Sequence, residues 1–352
     1  MKSVRIVGAG LLGTSLALAL KNSNISVELV DVDASHLALA KALVGDEGLS
    51  TSPEVVVLAI PATALMGVIE SEYAVNPGAT FIDIASTKTK SLLEIEKFPA
   101  IARQFCGTHP MAGRERGGPH GARADLFEDR AWIYCPTSAT SPESLSRTLE
   151  LIALSGAIAV AMSGPEHDQA VALISHLPQI TSSLLAKQLH GAKSDWFSVA
   201  GQGLRDTTRI AASDPALWGE IIHANQNQIL PLLKGLRDDI DSLIANLSNT
   251  EHVQSFIADG ASGRAKIPGK HGGKARDYHY LPIVIEDKAG QLAALFNECA
   301  QAKVNIEDLV IEHSPGQFTG LITLALSPND AKILSKHLLE AGWNVHSVRE
   351  GL

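Results

Sequence analysis

Aromatic residues make up only 5% of the 352-residue sequence, and charged residues only 19%. The first scarcity means that any core is built mostly from Leu, Ile, Val and Ala, which the 45% hydrophobic content supplies in quantity. Cysteine is scarcer still: Cys106, Cys135 and Cys299 are odd in number and far apart in the chain. They form neither a disulfide framework nor a zinc-knuckle spacing, so buried reduced thiols in a cytoplasmic protein without a metal site are expected. No long basic run is present and the net charge is −9, which argues against nucleic-acid binding. No apolar stretch past the amino-terminal segment reaches the ~18 uninterrupted residues of a membrane span, so no membrane partner is expected. The length suits two or three domains.

What is present begins with "VRIVGAGLLGTSLALAL", residues 4–20. A basic start and an apolar middle imitate a secretory signal. The same stretch holds Gly8, Gly10 and Gly13 in G-x-G-x-x-G spacing, which suggests a dinucleotide-binding turn. Downstream, short β-type runs at 2–7, 25–33, 54–61 and 79–86 alternate with helical stretches. That alternation predicts parallel βαβ units, and strands apolar on both faces predict a sheet covered on both sides. Weaker strand candidates follow at 104–108 and 131–136. The expected fold is α/β: a Rossmann-type, doubly wound domain over 1–161, then an all-helical domain over 162–247. The Gly-, Lys- and His-rich stretch 248–279 reads as a linker or mobile loop. Over 280–352 the order becomes βαββαβ, a small split-βαβ module. The helical domain has more apolar surface than one small bundle can bury, so a homodimer is expected.

Several residues have chemistry to offer. In a strand–turn–helix setting, Gly8 permits the tight turn, Gly10 lets a pyrophosphate approach the backbone, and Gly13 lets the helix pack closely. Asp31, at the end of the second strand, can accept from a ribose hydroxyl and repels a 2′-phosphate, which favours NAD over NADP. The blander alternative is a plain βα turn and a solvated strand end. Ser86, in "DIASTKTK" (83–90), lies just past a strand's carboxyl end, where doubly wound sheets bind ligands; a simple Ser/Thr-rich loop explains it equally well. His109 lies in "GTHPMAGRERGGPHG" (107–121) at the same sheet edge. A lone His is more often a structural hydrogen-bonder, but one beside a nicotinamide is a natural acceptor of a hydroxyl proton. In the helical stretch, Arg205 and Arg209 share a helical face; a solvated basic face paired with acids is the commoner explanation, but the small and apolar surroundings are a setting in which an Arg usually holds an anion.

The segments "GAGLLGTS", "DIASTK", "GTHPMAGRERGG", "LFEDRAWIYCP", "HDQAVALISHLP" and "RDTTRIAASDPALW" occur in this order. Together, over roughly 1–247, they resemble the prephenate/arogenate dehydrogenase family of tyrosine biosynthesis. The tail resembles an ACT domain, a small module that typically binds amino-acid effectors. The resemblance implies NAD-dependent oxidative decarboxylation of prephenate to 4-hydroxyphenylpyruvate, with a small-molecule substrate and NAD as cofactor. It implies His109 as the catalytic His, Ser86 as the residue that helps orient it, and Arg209 as a clamp on a substrate carboxylate. His176 and Trp218 match substrate-pocket positions and Glu115 a gating position. Gln179 replaces a second His that many relatives have in "SHLP", a position bearing on side-chain specificity. The cofactor-binding set is Gly8, Gly10, Leu12, Gly13, Asp31 and Pro61. In the tail, Gly290 and Asn305 match an effector site, with tyrosine the expected effector.

Other readings stand beside this one. Arogenate is the alternative substrate. A β-hydroxyacid dehydrogenase shares the Rossmann-plus-helical plan but has no place for "THPMAG". A non-enzymatic NAD-linked sensor would need the nucleotide turn without His109 and Arg209 together. The secretory-signal reading is set aside, because cleavage there would remove the first strand and all three glycines.

Overall fold

The computed structural model describes residues 1–45, 48–49, 51–113, 117–267, 278–312 and 318–350. The described residues form two compact units, Met1–Asp239 and Ile240–Leu352.

The first unit is organised by a seven-stranded sheet: β1 (Ser3–Val7), β2 (Ser26–Val30), β3 (Val55–Leu58), β4 (Thr80–Asp83), β5 (Phe105–Pro110), β6 (Ala131–Cys135) and β7 (Ile158–Ala161), in the order β2-β1-β3-β4-β5-β6-β7. The chain passes from β1 outward to β2, then returns to the other side of β1 with β3. This creates the switch point where doubly wound sheets bind ligands. The sheet is buried on both faces, as its apolar runs require. Val55 and Val57 pack with Ile6, Leu16 and Leu29 on one face, while Val56 and Leu58 pack with Phe81, Leu92 and Phe105 on the other. Each such side chain contributes roughly 1.5–3 kcal/mol relative to exposure.

The sheet is not parallel throughout. β5 and β6 run antiparallel, with Gly107 opposite Cys135 and His109 opposite Ile133. Among the described residues, the connection between these strands carries a short 3-10 turn at Pro119–Gly121 and no crossover helix, and only an antiparallel neighbour can be reached without a crossover.

Covering helices are α1 (Leu11–Asn22), α2 (Ala34–Val44), α3 (Leu65–Val75), α4 (Thr89–Ile95), α5 (Pro99–Arg103) and α6 (Pro142–Leu154). Asp33 caps α2 by accepting from the Ser35 and His36 amides, and Ser141 caps α6. The chain is helical thereafter: α7 (Gly164–Val171), α8 (Leu177–Gln188), α9 (Gln202–Thr208), α10 (Pro215–Ala224) and α11 (Gln226–Ala245). α7 and α8 form one continuous rod joined by a π-turn, Ala172–His176, in which the Leu177 amide donates to the Ala172 carbonyl five residues back.

The linker expected over 248–279 is corrected in part. Thr250–Ala265 is a helix, α12, and Asn249 caps it through the amides of Glu251 and His252. The glycines that suggested a loop, Gly260 and Gly263, lie inside the helix, where their cost was outweighed by the cap and the surrounding helix formers. Residues 268–277 of that stretch lie outside the described residues. The division between the units falls within α11, ahead of the expected boundary at 247.

The rest of the second unit is β8 (His279–Glu286), α13 (Gln291–Gln301), β9 (Asp308–Glu312), β10 (Thr319–Leu326), α14 (Pro328–Glu340), β11 (Asn344–Val345) and β12 (Arg349–Glu350). The sheet order is β11-β8-β10-β9, with β12 also on β8. β10 therefore enters antiparallel between β8 and β9, the split-βαβ arrangement expected from the element order. Alternating Leu281, Ile283 and Ile285 on β8 meet Leu295, Cys299, Leu334 and Leu338 on one buried face. Among the described residues, no helix is long and apolar enough to cross a membrane.

Candidate active site

The carboxyl ends of β1, β3, β4 and β5 meet along one edge of the large sheet, and the residues with chemistry to offer gather there. The first feature is the β1–α1 turn. Gly8 has φ +108°, and a Cβ on it would stand 2.2 Å from the Ala59 carbonyl oxygen. A Cβ on Gly13 would stand 1.9 Å from the Gly8 carbonyl oxygen. Both glycines are thus required by the protein's own packing. Gly10 differs: a Cβ there would meet nothing within 4 Å. It opens α1, whose first turn has no side-chain cap. Exposed amides at an uncapped helix start, beside open space, fit a pyrophosphate. Asp31 ends the neighbouring strand. Its oxygens accept from the Ala9 amide at 2.5 Å and the Asp33 amide at 2.7 Å, which holds the carboxylate beside the turn. Leu12 is partly buried in the first turn of α1, and Pro61 is exposed just beyond β3. The residues present fit a dinucleotide.

The second feature is a buried polar chain behind His109. His109 Nδ1 lies 2.8 Å from His167 Nε2, with the two rings edge to face. His167 Nδ1 lies 2.8 Å from Asp168 Oδ1. Asp168 in turn accepts from the backbone amides of Lys88 and Thr89, both at 2.8 Å. Burial works against the charged carboxyl, but the bonds from His167, Thr89 and Lys88 outweigh it and hold Asp168 below the usual carboxylate value.

An ionised carboxylate can only accept, which gives the chain a direction. Taken as a neutral ring, His167 brings its proton on Nδ1, so its Nε2 accepts. His109 must then bring its proton on Nδ1, so its Nε2 keeps the lone pair. Burial, reinforced by the Lys88 ammonium, pushes His109 well below the usual imidazole value. The side chain is therefore a neutral base with a defined basic nitrogen.

Beneath this chain lies an ion pair between Lys88 and Asp83, both essentially inaccessible to solvent. Asp83 also accepts from the Thr108 amide at 3.2 Å, and the Thr108 hydroxyl accepts from the Trp132 indole at 2.9 Å. A buried pair with these further bonds is expensive to disrupt, so the β4–α4 segment that holds Asp168 is rigidly based. Ser86 lies half-buried within that segment, between Asp83 and Lys88.

The third feature links the helical region to the chain. Asn225 Nδ2 donates to the Asp168 carbonyl at 2.7 Å and lies 3.1 Å from His176 Nδ1. Burial pushes His176 down to about 4, so the neutral ring accepts from Asn225 through Nδ1. Trp218 packs edge-on to His176, with ring centroids 6.0 Å apart. His176 is the last residue of the π-turn. Gln179, one turn farther along, is buried and bonded to Ile210 and Ser213. Arg209 is exposed at the start of a 3-10 turn, Arg209–Ala212. Glu115 lies outside the described residues. In the second unit, Gly290 (φ +91°) opens α13, and Asn305 donates to Glu307 at 3.1 Å.

Of the sequence-predicted residues, His109, His176 and Trp218 thus join one connected network. His167, Asp168, Asn225 and the Lys88–Asp83 pair belong to that network too, and residue patterns did not single out their roles. A His–Asp dipeptide inside an otherwise apolar helical run was the available signal.

A family model described as prephenate dehydrogenase, nucleotide-binding domain, matches residues 16–161. A second, prephenate dehydrogenase, dimerization domain, matches 163–258. The chain is 29% identical to a probable prephenate dehydrogenase, NovF, of Streptomyces niveus, over 99% of this chain and all of that one. The crystal structure of Aquifex aeolicus prephenate dehydrogenase with hydroxyphenyl propionate and NAD+ is 26% identical, with a TM-score of 0.67, over 76% of this chain and 99% of that one. Synechocystis arogenate dehydrogenase is 28% identical, with a TM-score of 0.60, over 75% of this chain and 99% of that one.

Proposed function

Because the chain belongs to the prephenate dehydrogenase family, we propose that it is an NAD-dependent enzyme converting prephenate to 4-hydroxyphenylpyruvate in tyrosine biosynthesis. The observation that carries this reading is the directed chain His109–His167–Asp168. It delivers a neutral imidazole with a basic Nε2 at the sheet edge that also holds the glycine turn.

Gly8, Gly10, Leu12, Gly13, Asp31 and Pro61 would hold the dinucleotide. When bound, NAD+ would supply the acceptor for a hydride leaving the hydroxyl-bearing carbon of the ring. His109 Nε2 takes the hydroxyl proton, and its Nδ1–H stays bonded to His167. The bond from the ring to its carboxylate then breaks, leaving its electron pair in the ring and releasing CO2. Aromatisation drives the step, and the ring oxygen recovers a proton as a phenol. Ser86 helps orient His109, and Arg209 holds a carboxylate as a bidentate fork. His176 and Trp218 line the substrate pocket, and Glu115 gates it. A positioned base of this kind is worth about 10²–10⁴-fold in rate.

Arogenate is the second reading, supported by the similarity to Synechocystis arogenate dehydrogenase. The helical region leaves Leu173, Ile174, Leu184 and Leu185 exposed, an apolar surface suited to a homodimer. The split-βαβ module is read as ACT-like, with tyrosine as a feedback effector held near Gly290 and Asn305. The buried thiols suit a cytoplasmic enzyme.

The test is a steady-state assay of NADH formation from prephenate and from arogenate, with NAD+ or NADP+, with and without tyrosine, on the wild type and on Asn305→Ala. Prephenate turnover with NAD+, inhibited by tyrosine in the wild type and less so in the variant, is expected. No turnover of either substrate would overturn the enzyme reading; equal inhibition of both proteins would remove the Asn305 effector role.

A further inference from the structure

Asn225 is buried at the junction of α10 and α11. Its carboxamide has the same shape either way round, and its partners decide the orientation. The Asp168 carbonyl oxygen, 2.7 Å away, can only accept, so the atom that faces it is the amide nitrogen. The same nitrogen lies 3.1 Å from His176 Nδ1. An amide nitrogen donates and does not accept, so Nδ1 carries the lone pair. Burial keeps this ring neutral near pH 7, and a neutral imidazole with its lone pair on Nδ1 has its proton on Nε2. His176 is thus the opposite tautomer to His109, whose proton lies on Nδ1. Asp168 stands behind both assignments, through its carboxylate and His167 for His109, and through its main-chain carbonyl and Asn225 for His176.

We propose that Asn225 is a positioning residue that fixes His176 as an Nε2–H donor toward the substrate. This rests on the reading, given above, that His176 lines the substrate pocket. The two imidazoles then offer opposite chemistry: His109 Nε2 accepts the hydroxyl proton, and His176 Nε2–H donates. The group that meets His176 is a carbonyl or carboxylate oxygen, which prephenate and arogenate both carry; an ammonium group has no lone pair to offer it. Without Asn225, nothing on this side holds the proton off Nδ1, and the ring turns a lone pair toward that oxygen for part of the time. The loss falls on substrate binding. Proton removal at His109 is spared, because the Lys88 and Thr89 amides and His167 still hold the Asp168 side chain.

The experiment compares Asn225→Leu, Asn225→Asp, His176→Phe and the double variant of Asn225→Leu with His176→Phe, all in the full-length chain. Kinetics give kcat and KM for prephenate, and tryptophan fluorescence gives the Kd of hydroxyphenyl propionate. Imidazole nitrogen NMR shifts of histidine-labelled protein, assigned with His176→Phe, give the tautomer. In the wild type the His176 proton is expected on Nε2. Asn225→Leu, close in shape but without hydrogen bonds, should raise KM and this Kd about 3- to 10-fold, the worth of about one neutral hydrogen bond, with kcat within about twofold. Asn225→Asp puts a carboxylate acceptor beside Nδ1 and should move the proton there; it also serves if the Leu variant does not fold. In the His176→Phe background Asn225→Leu should add nothing, because a residue that acts only through another has no separate effect once that other is gone. Effects that multiply in the double variant, or a kcat that falls as far as KM rises, would overturn the proposal. A wild-type proton on Nδ1 overturns it while leaving the pocket reading intact. If His176→Phe leaves KM and Kd unchanged, the pocket reading fails first and takes this proposal with it. If prephenate is not turned over, the enzyme reading fails, and the tautomer and the Kd still decide the role of Asn225.

Discussion

Replacing His167 by Phe tests the direction of the proton chain without touching the base itself. His167 is fully buried, and a phenyl ring is close to it in shape, so the packing around α7 is largely kept. What disappears is the acceptor 2.8 Å from His109 Nδ1 and the donor 2.8 Å from Asp168. With nothing to hold a proton on Nδ1, His109 no longer favours the tautomer whose lone pair is on Nε2. A buried N–H without a partner is disfavoured by about 1–3 kcal/mol. At 1.36 kcal/mol per decade, that removes about 5- to 150-fold of the productive population. The loss of kcat should lie in that range, and it should be smaller than the loss in His109→Asn, which removes the base and is expected to cost about 10²–10⁴-fold. The Kd for NAD+, read by fluorescence quenching, should stay at the wild-type value for both variants. The assay is NADH formation at saturating prephenate, with thermal midpoints recorded for each variant. A kcat for His167→Phe within twofold of wild type, or one as low as that of His109→Asn, would refute the tautomer argument.

Two further outcomes follow from named atoms. Gly10→Ala should fold normally, since its Cβ enters open space, while weakening NAD+ binding by at least about tenfold; Gly13→Ala, with a Cβ 1.9 Å from a carbonyl oxygen, should lose thermal stability before any question of binding arises. Calorimetric midpoints and NAD+ titrations separate the two, and unchanged NAD+ affinity in Gly10→Ala would contradict the pyrophosphate site. His176 should make the fold acid-sensitive. Its value is about 6.5 unfolded and about 4 folded, so its contribution is complete above pH 6.5 and is withdrawn as pH falls from 6.5 toward 4, by up to about 3 kcal/mol. Urea midpoints should fall more steeply across that window in wild type than in His176→Asn, and parallel curves would show that the ring is not held neutral.

The chain's sequence was most legible where one principle acts alone. Unbroken apolar runs such as Val55–Leu58 could only be strands buried on both faces. The three glycines announced the turn, because their spacing matches a backbone requirement. The antiparallel β5–β6 pair was not legible: both strands look alike in either direction, and the length of the segment between them leaves the choice to tertiary packing. Nor was α12, where Gly260 and Gly263 outvoted a good Asn249 cap in the local pattern. In the site, His109 stood out because it follows a strand at the correct edge. His167 and Asp168 did not, because their meaning depends on a strand some 60 to 80 residues away in the chain, which only the fold brings near.

The π-turn between α7 and α8 has a consequence for how this helical rod can change over evolutionary time. A helix is a phase-sensitive device: one residue more or less rotates everything beyond it by about 100°. At Ala172–His176 the chain has absorbed such an extra step. Upstream of it, His167 and Asp168 belong to the hydrogen-bonded chain behind His109; downstream, His176 meets Asn225 and Gln179 donates to the Ile210 carbonyl. Trimming one residue from the π-turn would leave the composition of the rod almost untouched while swinging its second half out of phase with its first. Here insertions and deletions are more damaging than most substitutions, and the length of this segment is itself a functional specification.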